Sequence, residues 1–229
     1  FTLVTLEDLF WRRGITPQAG KIYYSAKNTG VNRCERALWF DESKLSTHWA
    51  AASIDYVRQK GLMHNNPYGE FTPNFPLTRG MFVTCLGRLA GVEGDAASTG
   101  YRDLSAGHYA APYAAWAKEA DIMRGLPDGR FAPDAPITRQ ELATALARYA
   151  ALCGAERGDT GAPVYHDQAA IADWAKDGVA LCGQLGLLVG ANGTFSPTDT
   201  ATRAMGAVIL QRLDEAGLRP QPVENGSNI

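Results

Sequence analysis

The 229-residue chain has no apolar run approaching the roughly 18 residues a membrane-spanning helix needs. It also lacks an excess of one charge: 22 Lys and Arg stand against 24 Asp and Glu, a net charge of −2. That balance excludes a broad basic face for sequence-blind binding to nucleic acid or an anionic membrane. Cysteine is sparse. Cys34, Cys85, Cys153 and Cys182 form no Cys-x-x-Cys pair, so a zinc knuckle or a thioredoxin-type site is not expected. Three disulfide pairings are possible, and spacing does not choose among them. There is no Gly-x-Ser-x-Gly, no His-Glu-x-x-His, no Walker loop and no Asp-x-Asp-x-Asp-Gly calcium loop. The run Pro127 to Asp134 has the Asp-Gly of a calcium loop without its ligand spacing. The four histidines are isolated, and His48 and His108 read as helix-start residues. No catalytic group, metal or cofactor is therefore expected. Residue 1 is Phe, and Phe1 to Phe10 is too polar for a signal core, so the chain reads as a processed product or a piece of something longer.

What the chain does have is apolar content and repetition. Hydrophobic residues make up 45% and charged ones 20%, which places it among globular chains. Three segments share one skeleton: Gly69, Phe71, Pro73, Thr78, Arg79; then Gly129, Phe131, Pro133, Thr138, Arg139; then Gly193, Phe195, Pro197, Thr202, Arg203. The arginines recur at intervals of 60 and 64 residues (139 − 79 and 203 − 139). An aromatic residue, Trp49, Tyr109 or Trp174, precedes each of them at nearly constant distance. Repetition at such periods marks a tandem architecture in which no unit buries its apolar face alone.

Each unit opens with a helix, predicted at about 47–60, 108–120 and 171–185, with Ser46 or Thr47 as a cap and Gly61 as a stop. A tight turn follows, then a Phe-x-Pro segment that proline bars from a central strand. The second helix starts at the threonine. Counting 4, 7, 8 and 11 residues on gives Phe82, Cys85, Leu86, Leu89; Leu142, Ala145, Leu146, Tyr149; and Gly206, Ile209, Leu210, Leu213. That spacing is one face of an α-helix. Cys85 and Cys182 fall inside such apolar patterns and read as buried thiols. Identical offsets predict that the three motif helices meet around one pseudo-threefold axis.

The sequence resembles the S-layer homology family, which usually comes in threes and carries the motif Thr-Arg-Ala-Glu. Here that motif stands as LTRGM (77–81), ITRQE (137–141) and ATRAM (201–205). The family's aromatic-x-Asp followed by Trp-Ala stands as Tyr101-x-Asp103 with Tyr109-Ala110, and as Tyr165-x-Asp167 with Trp174-Ala175. In the first unit it is weaker: Phe40-Asp41, then Trp49-Ala50. The resemblance implies a mostly α fold, with three helix-loop-helix repeats packed as a pseudo-threefold bundle. On this reading an N-terminal extension, a short helix plus a hairpin, occupies 1–39. The repeats occupy 40–95, 96–157 and 158–217, and a disordered tail follows at 218–229. The resemblance also implies non-covalent attachment of a bacterial, extracellular surface protein to secondary cell-wall polysaccharide, often pyruvylated, in grooves between the units.

The motif residues each admit two readings. Thr78, Thr138 and Thr202 sit where helix N-caps belong, and Glu141 completes a capping box that Met81 and Met205 cannot. Those methionines mark either a lost local cap or two ligand sites short of a contact. Arg79, Arg139 and Arg203 occupy the first helical turn, where the macrodipole disfavours a cation. A helix start plus an arginine fork suits a carboxylate or phosphate. The alternative is an ion pair to the next unit, such as Asp103 or Asp167. Trp49, Tyr109 and Trp174 either stack on a sugar face or pack in the core, as aromatics at this spacing commonly do. Asn65, Gly125 and Gly190 share one position before the turn and tolerate left-handed backbone, and in the family this loop lines the sugar groove. Two other classes stay open. One is a lattice or filament subunit that uses degenerate repeats to contact other copies of itself. The other is an enzyme, whose mark would be a deep pocket with clustered carboxylates.

Overall fold

The computed structural model describes residues 42–66, 69–93, 98–155 and 161–220. The N-terminal helix and hairpin expected within 1–39 lie outside the described residues. Among the described residues six α-helices form: α1 Ala51–Gln59, α2 Arg79–Leu89, α3 Ala111–Glu119, α4 Arg139–Leu152, α5 Lys176–Gln184 and α6 Arg203–Glu215. Short 3-10 turns at Glu42–Thr47, Gln168–Ala170 and Asp173–Ala175 accompany them. Among the described residues, extended pairing is limited to isolated bridges, and no helix is long and apolar enough to cross a membrane.

The first helix of each unit is shorter than its periodicity suggests. Neither Ser46 nor Thr47 caps α1. Its N-cap position is Ala50, which makes no side-chain bond. The ring of His48 takes over instead, its Nδ1 accepting from Ala50 N at 3.2 Å. His108 does the same for Ala110 N at 3.2 Å. The apolar offsets of the motif helices are buried in all three units. Cys85 and Cys182 are buried, and burial pushes their thiols up to about 11 and about 12. Cys153 is also free.

The pairing of the helices departs from the order of the sequence. α2 packs on α3, α4 on α5 and α6 on α1. Every motif helix therefore lies against the first helix of the following unit, and the third unit closes onto the first. The motif helices meet pairwise through side chains at their starts (Arg79 with Glu141, Arg139 with Met205, Arg203 with Met81), and of the three only α2 and α6 also run backbone to backbone. The extended residues just before them are what converge. Leu77 N donates to Ala201 O (2.8 Å), Ala201 N to Ile137 O (3.0 Å) and Ile137 N to Leu77 O (2.9 Å), a closed ring of three backbone bonds. Leu77, Ile137 and Ala201 are at most 1% exposed, so the ring is the dry centre of a pseudo-threefold bundle.

The closure between the third and first units carries a polar clasp. Asp214 on α6 accepts from the Tyr56 hydroxyl on α1 at 2.7 Å. The same carboxylate pairs with Arg219 at 2.6 Å and Lys60 at 3.9 Å. Tyr149 donates its hydroxyl to Leu218 O at 3.0 Å. Leu218 and Arg219, read from sequence as the start of a disordered tail, thus belong to the folded body. Residues 221–229 lie outside the description.

Candidate functional site

Each repeat arginine crosses a seam between units. Arg79 Nε donates to Phe131 O (2.8 Å), Arg139 Nε to Phe195 O (2.7 Å) and Arg203 Nε to Phe71 O (2.9 Å). The guanidinium carbons lie over the same phenylalanine rings, 5.3, 4.8 and 4.6 Å from the centroids. Arg139 Nη2 also donates to Val189 O at 3.0 Å, and Arg203 Nη2 to His64 O at 2.8 Å. All three arginines are buried, at 7–8% exposure. They are inter-unit struts: Arg79 makes the ion pair to a next-unit carboxylate that the sequence suggests, with Glu141 at 3.3 Å and not with Asp103, and Arg139 makes none with Asp167. A carbonyl and an aromatic face of the next unit receive them.

Those aspartates hold the other side of the same peptides. Asp103 accepts from Phe131 N and Ala132 N, both at 2.8 Å. Asp167 accepts from Phe195 N at 2.8 Å and Ser196 N at 2.7 Å. The bonds from Phe195 and Ser196 hold the Asp167 carboxyl below the usual carboxylate range. The peptide planes after Phe131 and Phe195 are thereby fixed at both ends. The residue that follows is left-handed in every unit: Thr72 at φ 48°, Ala132 at 54° and Ser196 at 55°. Ala132 and Ser196 are held in that region by the bonds on either side of the preceding peptide.

The helix starts are not open anion cradles. The first two N–H groups of each motif helix bond to the next unit: Arg79 N to Ala135 O, Gly80 N to Pro133 O, Arg139 N to Asp199 O, Gln140 N to Pro197 O, Arg203 N to Phe75 O and Ala204 N to Pro73 O, all at 2.8–2.9 Å. The third N–H goes to the threonine, from Met81 to Thr78 (3.2 Å), Glu141 to Thr138 (3.4 Å) and Met205 to Thr202 (3.3 Å). Only unit two completes the capping box, with Thr138 N donating to Glu141 Oε2 at 2.8 Å.

The residue at this third position also faces the arginine of the preceding unit. Arg79 Nη1 meets Glu141 Oε1 at 3.3 Å. Arg139 Nη1 meets the Met205 sulfur at 3.7 Å, and Arg203 Nη1 the Met81 sulfur at 3.9 Å. Burial lowers the pKa of all three arginines, by desolvating the charged form. The Glu141 carboxylate opposes this at Arg79, and Asp199 and Asp167 oppose it at Arg139. At Arg203 the opposing groups are Cys85 and Tyr109, and Arg58 acts with burial.

The aromatic residues overturn their core reading. Trp49 is 66% exposed, Tyr109 47% and Trp174 58%. The common position of Asn65, Gly125 and Gly190 is not explained by backbone handedness alone, because of the three only Gly125 has positive φ, at +81°. Space supplies the rest. A Cβ at Gly125 would come within 2.5 Å of Tyr101, and one at Gly190 within 2.6 Å of Tyr165. Asn65 instead accepts from Arg58 Nε at 2.7 Å.

A second arginine repeat escaped the sequence reading. Arg88, Arg148 and Arg212 each lie ten residues after the motif threonine. Each reaches back to its own unit: Arg88 to Leu62 O (3.4 Å), Arg148 to Ile122 O (3.4 Å) and Arg212 to Gly186 O (2.9 Å). The constant offset was the available signal. In the seam of Arg203, a cavity of about 130 Å³ opens among Arg203, Arg88, His64, Thr84, Met81 and Tyr109, together with Met63 and Cys85. Among the described residues no cluster of His, Cys, Asp and Glu is suited to a metal.

Three closed seams with repeated Thr-Arg starts match a known pattern. The model of the S-layer homology domain matches residues 44–80, 100–143 and 164–204, together more than half of the chain. This chain belongs to the S-layer homology family. It is similar to an amylopullulanase of Thermoanaerobacterium thermosulfurigenes, 30% identical over 174 residues, 75% of this chain and 9% of that protein. It is similar to S-layer protein sap of Bacillus anthracis, 28% identical over 80% of this chain and 22% of that protein. It is also similar to a cellulosome-anchoring protein of Acetivibrio thermocellus, 31% identical over 58% of this chain and 30% of that protein. The chain thus spans less than a third of the length of each of these relatives.

Proposed function

We propose that this S-layer homology chain anchors a bacterial surface protein by holding secondary cell-wall polysaccharide, of the acidic pyruvylated kind, in the seams between its repeats. The observation that carries the reading is the exposure of Trp49, Tyr109 and Trp174 at one repeat position. An aromatic ring costs free energy in water, and three left there at equivalent places are suited to stacking on the apolar face of a sugar ring. Tyr109 lines the Arg203 cavity, so a stacked sugar there lies within reach of a buried cation. The relatives' names support surface anchoring: one is a cellulosome-anchoring protein and another an S-layer protein. Asn65, Gly125 and Gly190 shape the loops that close the seams. The arginines act on ligand only through nitrogen not already given to carbonyls.

A pull-down with purified sacculi, with and without their wall polymer, tests this. The chain should sediment only with polymer-bearing sacculi. Trp49→Ala and Trp174→Ala should weaken that binding while leaving the thermal midpoint nearly unchanged, because exposed side chains contribute within about 0.5 kcal/mol to stability. Equal binding to stripped sacculi would refute the reading. The S-layer relatives favour a second reading, in which the chain contributes to a surface lattice through contacts between copies. Sedimentation of the purified chain as a concentration-dependent assembly would select it.

A further inference from the structure

The third position after the motif threonine offers the seam arginines acceptors of two kinds. In unit two it is Glu141, whose Oε1 meets Arg79 Nη1 at 3.3 Å. In units one and three it is a thioether. The Met81 sulfur lies 3.9 Å from Arg203 Nη1, and the Met205 sulfur 3.7 Å from Arg139 Nη1. A thioether is a weak acceptor. Both gaps exceed the roughly 2.7–2.9 Å of a charge-assisted N–H···O bond, so an oxygen mounted on either sulfur and turned toward the guanidinium would close them. Arg139 and Arg203 are 8% exposed, so water does little to make up for the weak partner.

A second observation concerns which methionines an oxidant can reach. The chain has four. Met63 and Met123 lie in the core at 2% and 5% exposure. Met81 and Met205, the two that face arginines, are only partly buried against that core. Met81 also lines the cavity of about 130 Å³ beside Arg203, which is room for one more oxygen on its sulfur.

We propose that Met81 and Met205 are oxidation sites, and that their oxidation tightens the seams it touches. The oxidant is a peroxide. A sulfur lone pair attacks one peroxide oxygen, the S–O bond forms as the O–O bond breaks, and the other oxygen leaves as water after a proton shift. Sulfur gives up two electrons and the peroxide takes them. The sulfoxide oxygen, a strong acceptor, then stands against Nη1 of Arg203 or Arg139 as Glu141 Oε1 stands against Arg79. Sulfoxide formation ordinarily disrupts a fold, because it forces a polar oxygen into apolar surroundings. Here the surroundings include a buried guanidinium whose Nη1 meets a thioether, and the sign reverses. The inference rests on the seams and not on any ligand.

The test is mild treatment of the purified 229-residue chain with hydrogen peroxide, followed by dithiothreitol to reverse sulfenic and disulfide products of cysteine. Peptide mass mapping should find sulfoxide at Met81 and Met205 before Met63 and Met123. At that stage the thermal midpoint should rise by about 2–6 °C, as an arginine–oxygen bond replaces an arginine–sulfur contact in two seams. The double variant Met81→Leu, Met205→Leu keeps the apolar bulk, and its midpoint should not rise with peroxide. A wild-type midpoint that stays put or falls once both sites carry oxygen overturns the proposal. So does sulfoxide at Met63 or Met123 ahead of the other two. A rise that persists in the double leucine variant overturns it as well, since the gain would then come from elsewhere in the chain.

Discussion

Arg139→Ala removes one strut and its consequences follow from the geometry. Arg139 donates to Phe195 O at 2.7 Å and Val189 O at 3.0 Å, and its guanidinium carbon lies 4.8 Å from the Phe195 ring centroid. A hydrogen bond to a charged group contributes about 1.5–3 kcal/mol, and a desolvated cation over a ring up to about 2 kcal/mol. Part of this is offset because the variant no longer buries a charge. A net loss of roughly 3–5 kcal/mol remains, most of it from two buried carbonyls left without donors. For a chain of this size about 2–4 °C is lost per kcal/mol, so the thermal midpoint should fall by roughly 6–20 °C. Arg139→Lys should recover less than half of this, since one ammonium cannot reproduce a planar fork reaching two carbonyls. Circular dichroism melts of the three proteins at neutral pH decide the matter. A midpoint within about 2 °C of wild type for Arg139→Ala would refute the strut, and would mean that the seam is held by the backbone bonds and apolar packing alone.

Thr138→Ala should cost about 1–2 kcal/mol, and Thr78→Ala or Thr202→Ala less, because only Thr138 loses a reciprocal box with Glu141; urea midpoints of the three variants check the order. Asp167 is held below its ordinary pKa by the N–H groups of Phe195 and Ser196. Its stabilising contribution is therefore present above the unfolded value near 3.9 and is lost as pH falls through the lower folded value. Asp167→Asn should accordingly melt below wild type at pH 6, and the gap should narrow as pH drops below about 4; a gap independent of pH would show that the carboxylate charge is not what matters.

Much of the local structure was legible in the residues themselves. The spacing of Phe82, Cys85, Leu86 and Leu89, and of their counterparts, specified three helices and their buried faces, because a helix repeats its face within one chain segment. Thr138 and Glu141 specified a helix start for the same reason: cap and partner are three residues apart. Gly61 and the Asn-Gly and Asp-Gly turns marked where helices stop. The repeat pointed to a closed bundle of three, since each unit has an apolar face and no means of covering it alone.

Only the tertiary structure decided which face covers which. Arg79, Arg139 and Arg203 look alike in sequence, and nothing near them in the chain names Phe131, Phe195 and Phe71 as their partners. Those contacts span 52, 56 and 132 residues and exist only because α2, α4 and α6 pack on the helix of the following unit. The aromatics Trp49, Tyr109 and Trp174 share the helix starts with buried alanines, and a spacing pattern cannot tell which of two neighbouring positions faces water. The difference between Met81 and Glu141 reads along the chain as one cap lost and one kept. Across the seam it is also the difference between a cation answered by a carboxylate and one left facing a thioether, and that distinction arises from the preceding unit's arginine, whose position the local sequence does not encode.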